Sequence, residues 1–180
     1  MIYIFLADGF EEIEALTVVD LLRRAELEIQ IVGIGAKNVI KGAHGISVVT
    51  DISEKDVITS DLDAIVLPGG MPGTLNLERS SIVISCINYC CDNNKYIAAI
   101  CAAPSILGHN NILKNKTATC FPGFENELYN ANVVVDHVCV CNNIITAKGA
   151  GVAIDFSLKI IELLKNKEIS DKIRMSIQCK

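Results

Sequence analysis

Short apolar runs alternate with amphipathic stretches along most of the chain. Three runs are continuous, which is typical of strands buried on both faces of a sheet. They are Ile2 to Leu6, Ala64 to Leu67 and Ile97 to Ile100, and Ile29 to Ile34, which Gln30 interrupts, is predicted to be a further strand. Helical patterns run from about Glu11 to Arg24, Ser80 to Asn93 and Val152 to Lys165, and a short final helix starts near Ser170. This alternation predicts an α/β fold, with a mostly parallel sheet sandwiched between helices.

Four other segments have the pattern of shorter or more exposed strands. Ile46 to Thr50 alternates and indicates an edge strand or hairpin arm, and Lys116 to Cys120 is also strand-like. Val133 to Cys141 and Ile144 to Ala147 flank the pair Asn142-Asn143, and asparagine tolerates positive φ. We therefore expect a β-hairpin around that pair.

The first helix carries more apolar surface than one sheet face needs. Its acids Glu11, Glu12 and Glu14 come first and Arg23 and Arg24 come last, which suits the helix dipole. Apolar side chains lie around more of its circumference than a core-facing stripe of about 100°. Either a symmetric partner or a second layer of the same chain must cover it, and we favour the partner.

The composition mainly excludes certain classes of protein. The chain has 180 residues, 51% of them hydrophobic and 21% charged, and shows no linker or repeat, so residues 1–180 are expected to form one domain. A net charge of -5 argues against nucleic acid as the main partner. The apolar runs are too short to span a membrane, and the start lacks the features of a signal peptide. We expect a cytoplasmic protein.

The eight cysteines are scattered through apolar segments, which favours reduced thiols over a disulfide framework. His137, Cys139 and Cys141 alternate along an expected strand, and Cys86 and Cys90 are four residues apart on an expected helix. Neither group has the paired C-x-x-C spacing of a zinc site. No metal site is predicted.

Cys101 lies where a buried strand meets a helix. The strand ends at Ile100, and Pro104 can open a helix because its missing N–H is not needed there. Ala99 and Ala103 stand where glycines stand in the G-x-S-x-G nucleophile elbow, so a strained turn is expected at Cys101. The helix N-terminus would then favour a thiolate. The alternative is a buried core cysteine, which is common.

Two further turns bear on the chemistry. Gly69 and Gly70 follow the strand Ala64 to Leu67, and paired glycines allow backbone N–H groups to turn toward a ligand, as an oxyanion hole requires. A simple turn is the alternative. The turn after the first strand lacks G-x-G-x-x-G, and its acids would repel a pyrophosphate. Nucleotide binding at that turn is therefore rejected.

Four marked turns follow strands and should meet in one cleft, because ligands of open α/β sheets bind beyond the carboxyl ends of the strands. They are Ala7 to Glu14, Pro68 to Gly73, Cys101, and Gly149 to Gly151. Their sequences, among them ADGFEEIE, LPGG and AAICAAP, resemble the ThiJ/PfpI superfamily, and most of all its DJ-one or YajL-like branch, the parkinsonism-associated deglycases. The resemblance extends over nearly the whole chain.

The resemblance implies a flavodoxin-like three-layer α/β/α fold, a homodimer through the first helix, and Cys101 as nucleophile. Glu14 matches the protonated acid that hydrogen-bonds the thiolate in that family. Gly70 and Ala102 match its oxyanion-hole donors.

Four further positions are implied as substrate-binding or supporting residues. They are Gly69, Phe121, Arg24 and His44. His44 replaces a cationic residue of the branch's best-known member. Phe121 occupies a region where some members place a histidine, and Ala102 replaces the histidine of the peptidase-like branch. Neither His109 nor His137 can be placed in the cleft from sequence, so proton transfer would fall to Glu14 or a water.

The expected activity is that of a glyoxalase or deglycase that needs no cofactor, glutathione or metal. Its substrates would be small α-oxoaldehydes, such as methylglyoxal and glyoxal, or their early adducts with amines. The alternative is a redox-sensing chaperone without catalysis, in which Cys101 is oxidised to a sulfinate. A peptidase or amidase fits less well, because a departing amine needs a well-placed acid, normally histidine.

Overall fold

The computed structural model describes residues 1–35 and 38–179. In chain order the strands are β1 Ile2–Leu6, β2 Ile29–Gly33, β3 Val39–Lys41, β4 Ser47–Val49, β5 Ile52–Ser53, β6 Ala64–Leu67, β7 Tyr96–Ile100, β8 Thr117–Ala118, β9 Asn132–Val133, β10 Val138–Cys141 and β11 Ile144–Ala147. The α-helices are α1 Glu12–Arg24, α2 Gly73–Glu78, α3 Ser81–Asp92, α4 Pro104–His109, α5 Ala153–Leu164 and α6 Lys167–Ser176.

Seven strands form the central sheet in the order β10-β11-β7-β6-β1-β2-β5. All neighbouring pairs are parallel except β10 with β11, which are antiparallel. The hairpin predicted around Asn142 is confirmed, and Asn142 has a φ of 55°. The predicted α/β class and mostly parallel sheet are confirmed as well.

Helices cover both faces of this sheet, which produces three layers. One apolar core lies between the sheet and the side chains of α1, α5 and α6. The other lies between the sheet and α2, α3 and α4. Continuous strands such as β1 and β6 are buried along their whole length, as expected for strands covered on both faces.

The strands β11, β7, β6 and β1 are consecutive neighbours and run in the same direction. Their carboxyl ends therefore lie along one edge of the sheet. Each of the four turns singled out in the sequence follows one of these strands. The edge where these turns lie is the place at which open α/β sheets bind ligands.

Other sequence-based boundaries need correction. The expected strand Lys116 to Cys120 is reduced to β8, which pairs with β9 in a small sheet of its own. The expected strand Val133 to Cys141 is therefore split, because Val133 pairs with Ala118 and only Val138–Cys141 joins the central sheet. Val135 lies between the two pieces and is 83% exposed. An apolar run does not reveal which of two sheets each part of it joins.

Most of the apolar surface of α1 is covered within the chain. The helix packs against α5, and Ala15, Val18 and Leu22 are fully buried in the core that both helices share. Ile13 stays 56% exposed. A second layer of the same chain, the less favoured alternative in the sequence, thus accounts for most of this coverage.

The α-helices among the described residues have at most 13 residues. None of those within residues 1–35 and 38–179 combines the length and apolar content that crossing a bilayer requires.

Candidate active site

Cys101 occupies a tight turn between β7 and α4. Its φ is 65°, a left-handed conformation that costs energy in a residue with a side chain. The surrounding backbone holds it there: the Cys101 N–H donates to the Ala147 carbonyl at 2.9 Å, and the Cys101 carbonyl accepts from the Phe121 N–H at 2.8 Å. The strand-to-helix elbow predicted from small neighbours and Pro104 is confirmed as local geometry.

Glu14 reaches the cysteine from the first turn of α1. Its side chain is buried, with 1% of the residue exposed. Its Oε2 accepts the Gly69 N–H at 2.8 Å, and the carboxyl group faces both the Ala150 N–H and the Cys101 sulfur. Three of the turns predicted to converge therefore meet around this one carboxyl group.

The glycine pair after β6 forms the floor of the site. A Cβ on Gly69 would lie 2.6 Å from the Cys101 Cβ and 2.7 Å from the Glu14 Oε2, so only glycine fits without displacing them. Gly70 has a φ of 89°, a conformation that favours glycine, and its N–H faces the Cys101 sulfur. The Ala102 N–H donates to the same sulfur. The glycine turn and the elbow therefore each place one N–H group at the candidate nucleophile.

The protonation of Cys101 and Glu14 is coupled through their contact. Burial is the main cause that raises the pKa of Glu14 to about 7, against lowering by its hydrogen bonds from Gly69 and Cys101. Burial, and then the negative charge of Glu14, raise the pKa of Cys101 to about 12, against lowering by the Ala102 and Gly70 N–H groups. Like-charge repulsion therefore acts on the thiol as expected.

The pKa of Cys101 corrects one expectation from sequence, namely that the helix N-terminus by itself favours the thiolate. The helix α4 has six residues, so its dipole is small. Burial and the Glu14 charge outweigh it, and the direction of the shift is upward while Glu14 is ionised. The two groups titrate as a pair that shares protons.

A cavity of about 290 Å³ lies near the paired groups, which are not among the residues that line it. Phe121, His137, Lys148 and Gly149 are among the residues that line it. A Cβ on Gly149 would lie 3.2 Å from the Phe121 ring and 3.7 Å from the Glu14 Oε1, which shows how closely this wall approaches the carboxyl group. Phe121 is therefore placed beside the site, as the resemblance implied.

His137 and Lys148 are cavity residues that the sequence did not assign. The Lys148 N–H donates to the His137 carbonyl at 3.0 Å, so the two segments are tied together at the cavity wall. The marked turn Gly149 to Gly151 was the only signal that could have pointed to Lys148. Nothing local in the sequence connects His137 with that turn.

The structure does not bring Arg24 to Cys101. Arg24 lies in the last turn of α1, whereas Glu14 lies in the first, and its Nε donates to Asp20 at 2.7 Å. A helix rises 1.5 Å per residue, so roughly 15 Å of helix separates the two positions. Within this chain Arg24 is a surface ion-pair residue.

His44 contacts the acids that precede Glu14. Its Nδ1 lies 2.9 Å from the Glu12 Oε2 and 3.3 Å from the Glu11 Oε2. These two carboxylates raise the pKa of His44. One possible ligand atom from each of Glu11, Glu12 and His44 lies within 4.8 Å of the other two, which is close enough to hold a metal ion. The same arrangement is satisfied by a protonated imidazole. His44 makes these contacts outside the group formed by Cys101 and Glu14.

The arrangement defines a class of protein: an open α/β sheet with a cysteine on a nucleophile elbow, a buried glutamate against its sulfur, and two backbone N–H groups, of Gly70 and Ala102, that face the sulfur. The chain belongs to the DJ-1/PfpI family, whose sequence model matches residues 1–163. The predicted family and flavodoxin-like fold are thereby confirmed.

Characterised relatives align along most of their length. Protein dj-1beta of Drosophila melanogaster is 34% identical over 167 residues, which cover 92% of this chain and 89% of that protein. The glutathione-independent glyoxalase DJR-1.2 of Caenorhabditis elegans is 31% identical over 165 residues, or 91% and 87%. Oxidised DJ-1 of Toxoplasma gondii superposes with a TM-score of 0.94 at 32% identity, and the match covers 99% of this chain and 97% of that one.

Proposed function

We propose that this protein is a cysteine-dependent glyoxalase that converts small α-oxoaldehydes to hydroxy acids, with Cys101 as nucleophile and Glu14 as acid and base. The observation that carries the proposal is the contact of one buried carboxyl group with the Cys101 sulfur, beside the N–H groups of Gly70 and Ala102. The glyoxalase activity in the name of the 31% identical worm relative supports it.

The resting state that suits this chemistry has the proton on Glu14 and the negative charge on Cys101. Burial favours the neutral form of Glu14, and a neutral carboxyl group exerts no like-charge repulsion on the sulfur. Its O–H then donates to the thiolate, alongside the N–H groups of Gly70 and Ala102.

Methylglyoxal first reacts at its aldehyde carbon. The Cys101 thiolate adds to that carbon, a C–S bond forms, and the carbonyl oxygen takes the electron pair. The N–H groups of Gly70 and Ala102 stabilise this oxyanion, and the Glu14 proton converts it to the neutral hemithioacetal. Glu14 is now a carboxylate beside the intermediate.

The second stage moves hydrogen between adjacent carbons. The Glu14 carboxylate removes the proton from the former aldehyde carbon, and the electron pair moves to the neighbouring carbonyl oxygen, which gives an enediolate. Glu14 returns this proton to the neighbouring carbon, and the hydroxyl proton of the former aldehyde carbon passes to the adjacent oxygen, which leaves the thioester of lactate on Cys101. Water hydrolyses the thioester and releases lactate and the thiol. The net change is an isomerisation plus one water, so no oxidant or reductant is consumed.

The same site would serve glyoxal and, as a deglycase, the early adducts of both aldehydes with protein or nucleotide amino groups. These adducts still carry the reactive carbonyl carbons that the thiolate attacks. Protection against carbonyl stress in the cytoplasm is the cellular role that we propose with this activity.

Turnover of methylglyoxal by the purified protein, with a Cys101→Ser variant as control, tests the proposal. We expect D- or L-lactate from the wild type and a loss of at least about 1,000-fold in kcat/KM for the variant, because a neutral hydroxyl is a far weaker nucleophile than a thiolate. Cys91, an exposed free cysteine, provides the matched control through Cys91→Ser, which should keep full activity.

Absence of turnover in the wild type would overturn the enzyme proposal. The redox-sensing chaperone would then be the better explanation, with Cys101 oxidised first among the eight thiols. An amidase stays the weaker alternative, because no histidine contacts Cys101 among the described residues and Ala102 follows the nucleophile.

We also propose a homodimer in which the exposed side of α1 faces its copy. Ile13 is 56% exposed, and Ile46 in the neighbouring hairpin segment is 55% exposed. The N–H groups of His44 and Ile46 donate to the Glu12 carboxylate, so the segment that carries Ile46 is attached to α1 at the residue before Ile13. Adjacent exposed apolar side chains of this kind commonly mark an interface.

Light scattering at micromolar concentration should give the mass of two chains. Ile13→Lys should weaken the dimer by at least about tenfold in Kd, because a charge would replace an apolar contact at the interface. Met175 on α6 is 64% exposed and provides the matched control as Met175→Lys, which should leave the dimer intact. A monomeric wild type, or equal weakening by both variants, would contradict this interface.

A further inference from the structure

His109, at the end of α4, lies between two carboxylates from different parts of the chain. Its Nδ1 is 2.5 Å from the Glu78 Oε1, and its Nε2 is 2.8 Å from the Glu127 Oε2. The Tyr129 ring packs on it, with ring centroids 5.0 Å apart. The side chain of His109 is 27% exposed. Both ring nitrogens are therefore engaged, and the imidazolium form, with its two N–H donors, satisfies both carboxylates.

The three segments joined by His109 all begin at the candidate active site. The helix α2, which ends at Glu78, follows the turn containing Gly69 and Gly70. The helix α4, which ends at His109, follows Cys101. Glu127 closes a short 3-10 turn, Glu125–Glu127, in the segment that starts at Phe121. One imidazole ring thus connects the far ends of all three.

The segment 121–128 is seated directly on α4 next to His109. A Cβ on Gly108 would lie 2.7 Å from the Leu128 Cα and would collide with the Glu127 carbonyl, so the absence of a side chain allows this close approach. At its other end the segment donates the Phe121 N–H to the Cys101 carbonyl at 2.8 Å. The segment is therefore held at both ends, at Cys101 and at His109.

We propose that His109 is a positioning residue for the proposed reaction: its bridge between Glu78 and Glu127 holds segment 121–128 so that the Phe121 side chain forms a wall of the cavity next to Gly149 and the Glu14 carboxyl group. This proposal rests on the proposed function only in that it gives the Phe121 wall a role in binding the substrate. His109 touches neither the sulfur of Cys101 nor the carboxyl group of Glu14 and takes no part in the chemical steps.

The bridge depends on pH. Burial lowers the pKa of His109, but hydrogen bonds and charge from Glu127 and Glu78 outweigh it and raise that pKa above its usual 6.5. These two carboxylates are the charged groups that act on the ring among the described residues, and Tyr129 adds its aromatic face. A neutral imidazole has one N–H, so one carboxylate then faces a lone pair. The bridge is complete below the raised pKa and is weakened as pH rises through it.

Hydrogen exchange of the Phe121 amide measures the position of the segment without reference to activity. His109→Gln removes the charge and one donor, and we expect it to lower the protection factor of the Phe121 amide by about three- to tenfold. The KM for methylglyoxal should rise by about threefold and kcat should change less, since the contacts among Cys101, Glu14 and Gly69 remain.

His109→Arg separates charge from the histidine side chain. Arginine stays charged and has donors for both carboxylates, so the variant should keep the protection of the Phe121 amide. This protection should not decline above neutral pH as it does in the wild type. Lys95 forms a surface ion pair with Asp63 at the opposite edge of the sheet, and Lys95→Gln controls for the removal of any surface charge. It should leave the protection factor and KM unchanged.

Unchanged Phe121 protection in His109→Gln, or an equal loss in Lys95→Gln, would overturn the positioning role. Loss of protection in His109→Gln, restored in His109→Arg, would establish it. If that pattern were found in a wild-type protein that does not turn over methylglyoxal, the positioning role would stand and the proposed function would fail. The exchange and turnover measurements thus distinguish the two failures.

Discussion

Glu14→Gln is expected to lose methylglyoxal turnover by about 100- to 1,000-fold in kcat while it keeps the Cys101 thiolate. Glutamine still offers a donor to the sulfur and an acceptor to the Gly69 N–H, which lies 2.8 Å from the Glu14 Oε2. It cannot take a proton from one carbon and return it to the next. Lactate formation under saturating substrate, combined with titration of thiolate absorbance, measures both properties in one protein.

Glu14→Leu is the matched variant that removes the donor as well. Without the hydrogen bond from position 14, we expect the pKa of Cys101 to be higher in Glu14→Leu than in Glu14→Gln, because burial then acts on the thiol with less compensation. If Glu14→Gln kept most of its turnover, the acid and base role would have to pass to a water or to His137 on the cavity wall.

Glu14→Gln should also change the free energy of unfolding in a pH-dependent way. The pKa of Glu14 is raised from 4.5 to about 7, so the folded state holds this proton more tightly than the unfolded state does. Wild-type stability therefore falls as pH rises from about 4.5 to about 7, by on the order of 3 kcal/mol for this group alone. In urea unfolding, the free energy of unfolding of Glu14→Gln should increase relative to that of the wild type as the pH is raised from 5 to 8. A constant difference across that range would contradict the raised pKa.

Gly69→Ala is expected to reduce kcat/KM by about 100-fold. The added methyl group would lie 2.6 Å from the Cys101 Cβ, 2.7 Å from the Glu14 Oε2 and 3.1 Å from the Cys101 Sγ. Either the nucleophile or the acid must move, and the contact between them is the basis of the proposed reaction. Overpacking of a buried site also costs about 1 to 3 kcal/mol of stability. Steady-state kinetics and urea unfolding measure the two effects.

Gly35→Ala is the control that shows how a loss of stability alone affects activity. Gly35 has a φ of 90°, so alanine is strained there, but its Cβ would have no neighbour within 4 Å. We expect a stability loss of about 1 kcal/mol with unchanged kcat/KM. If Gly69→Ala kept more than half of the wild-type activity, or if both variants lost activity in proportion to stability, the close packing at Gly69 would not matter for catalysis.

Predictions that depended on local pattern agree well with the structure. The helix expected from Glu11 to Arg24 runs over Glu12–Arg24, and the strand expected to end at Ile100 does so. Small residues beside Cys101 and a proline three positions later predicted the elbow, because only such neighbours fit that turn. Steric limits and hydrophobic periodicity act over a few residues, so they can be read without a fold.

The convergence of the marked turns was also predictable, for a topological reason. Once the strands before them are parallel and adjacent, their carboxyl ends must share one edge. The glycine pair, Glu14 and Cys101 then have to face one another, and the hydrogen bond from Gly69 to Glu14 shows that they do.

Properties that depend on distant packing were not predictable. The cover that α5 provides for α1, the contact of His109 with two carboxylates and the place of His137 on the cavity wall each join residues far apart in sequence. The distance of roughly 15 Å along α1 between Arg24 and Glu14 follows from the helical rise per residue. Whether another segment of the chain links the two positions depends on tertiary packing and was not predictable.

The sequence by itself determined the order of the elements, the elbow at Cys101 and the edge at which Glu14 and the glycine pair would meet. Only the tertiary structure decided how the protons are held there. Burial raises the pKa of Glu14 to about 7, and burial with the charge of Glu14 raises that of Cys101. A pKa depends on the distance between charges and on the water excluded around them, and both quantities exist only once residues 14 and 101 are packed together.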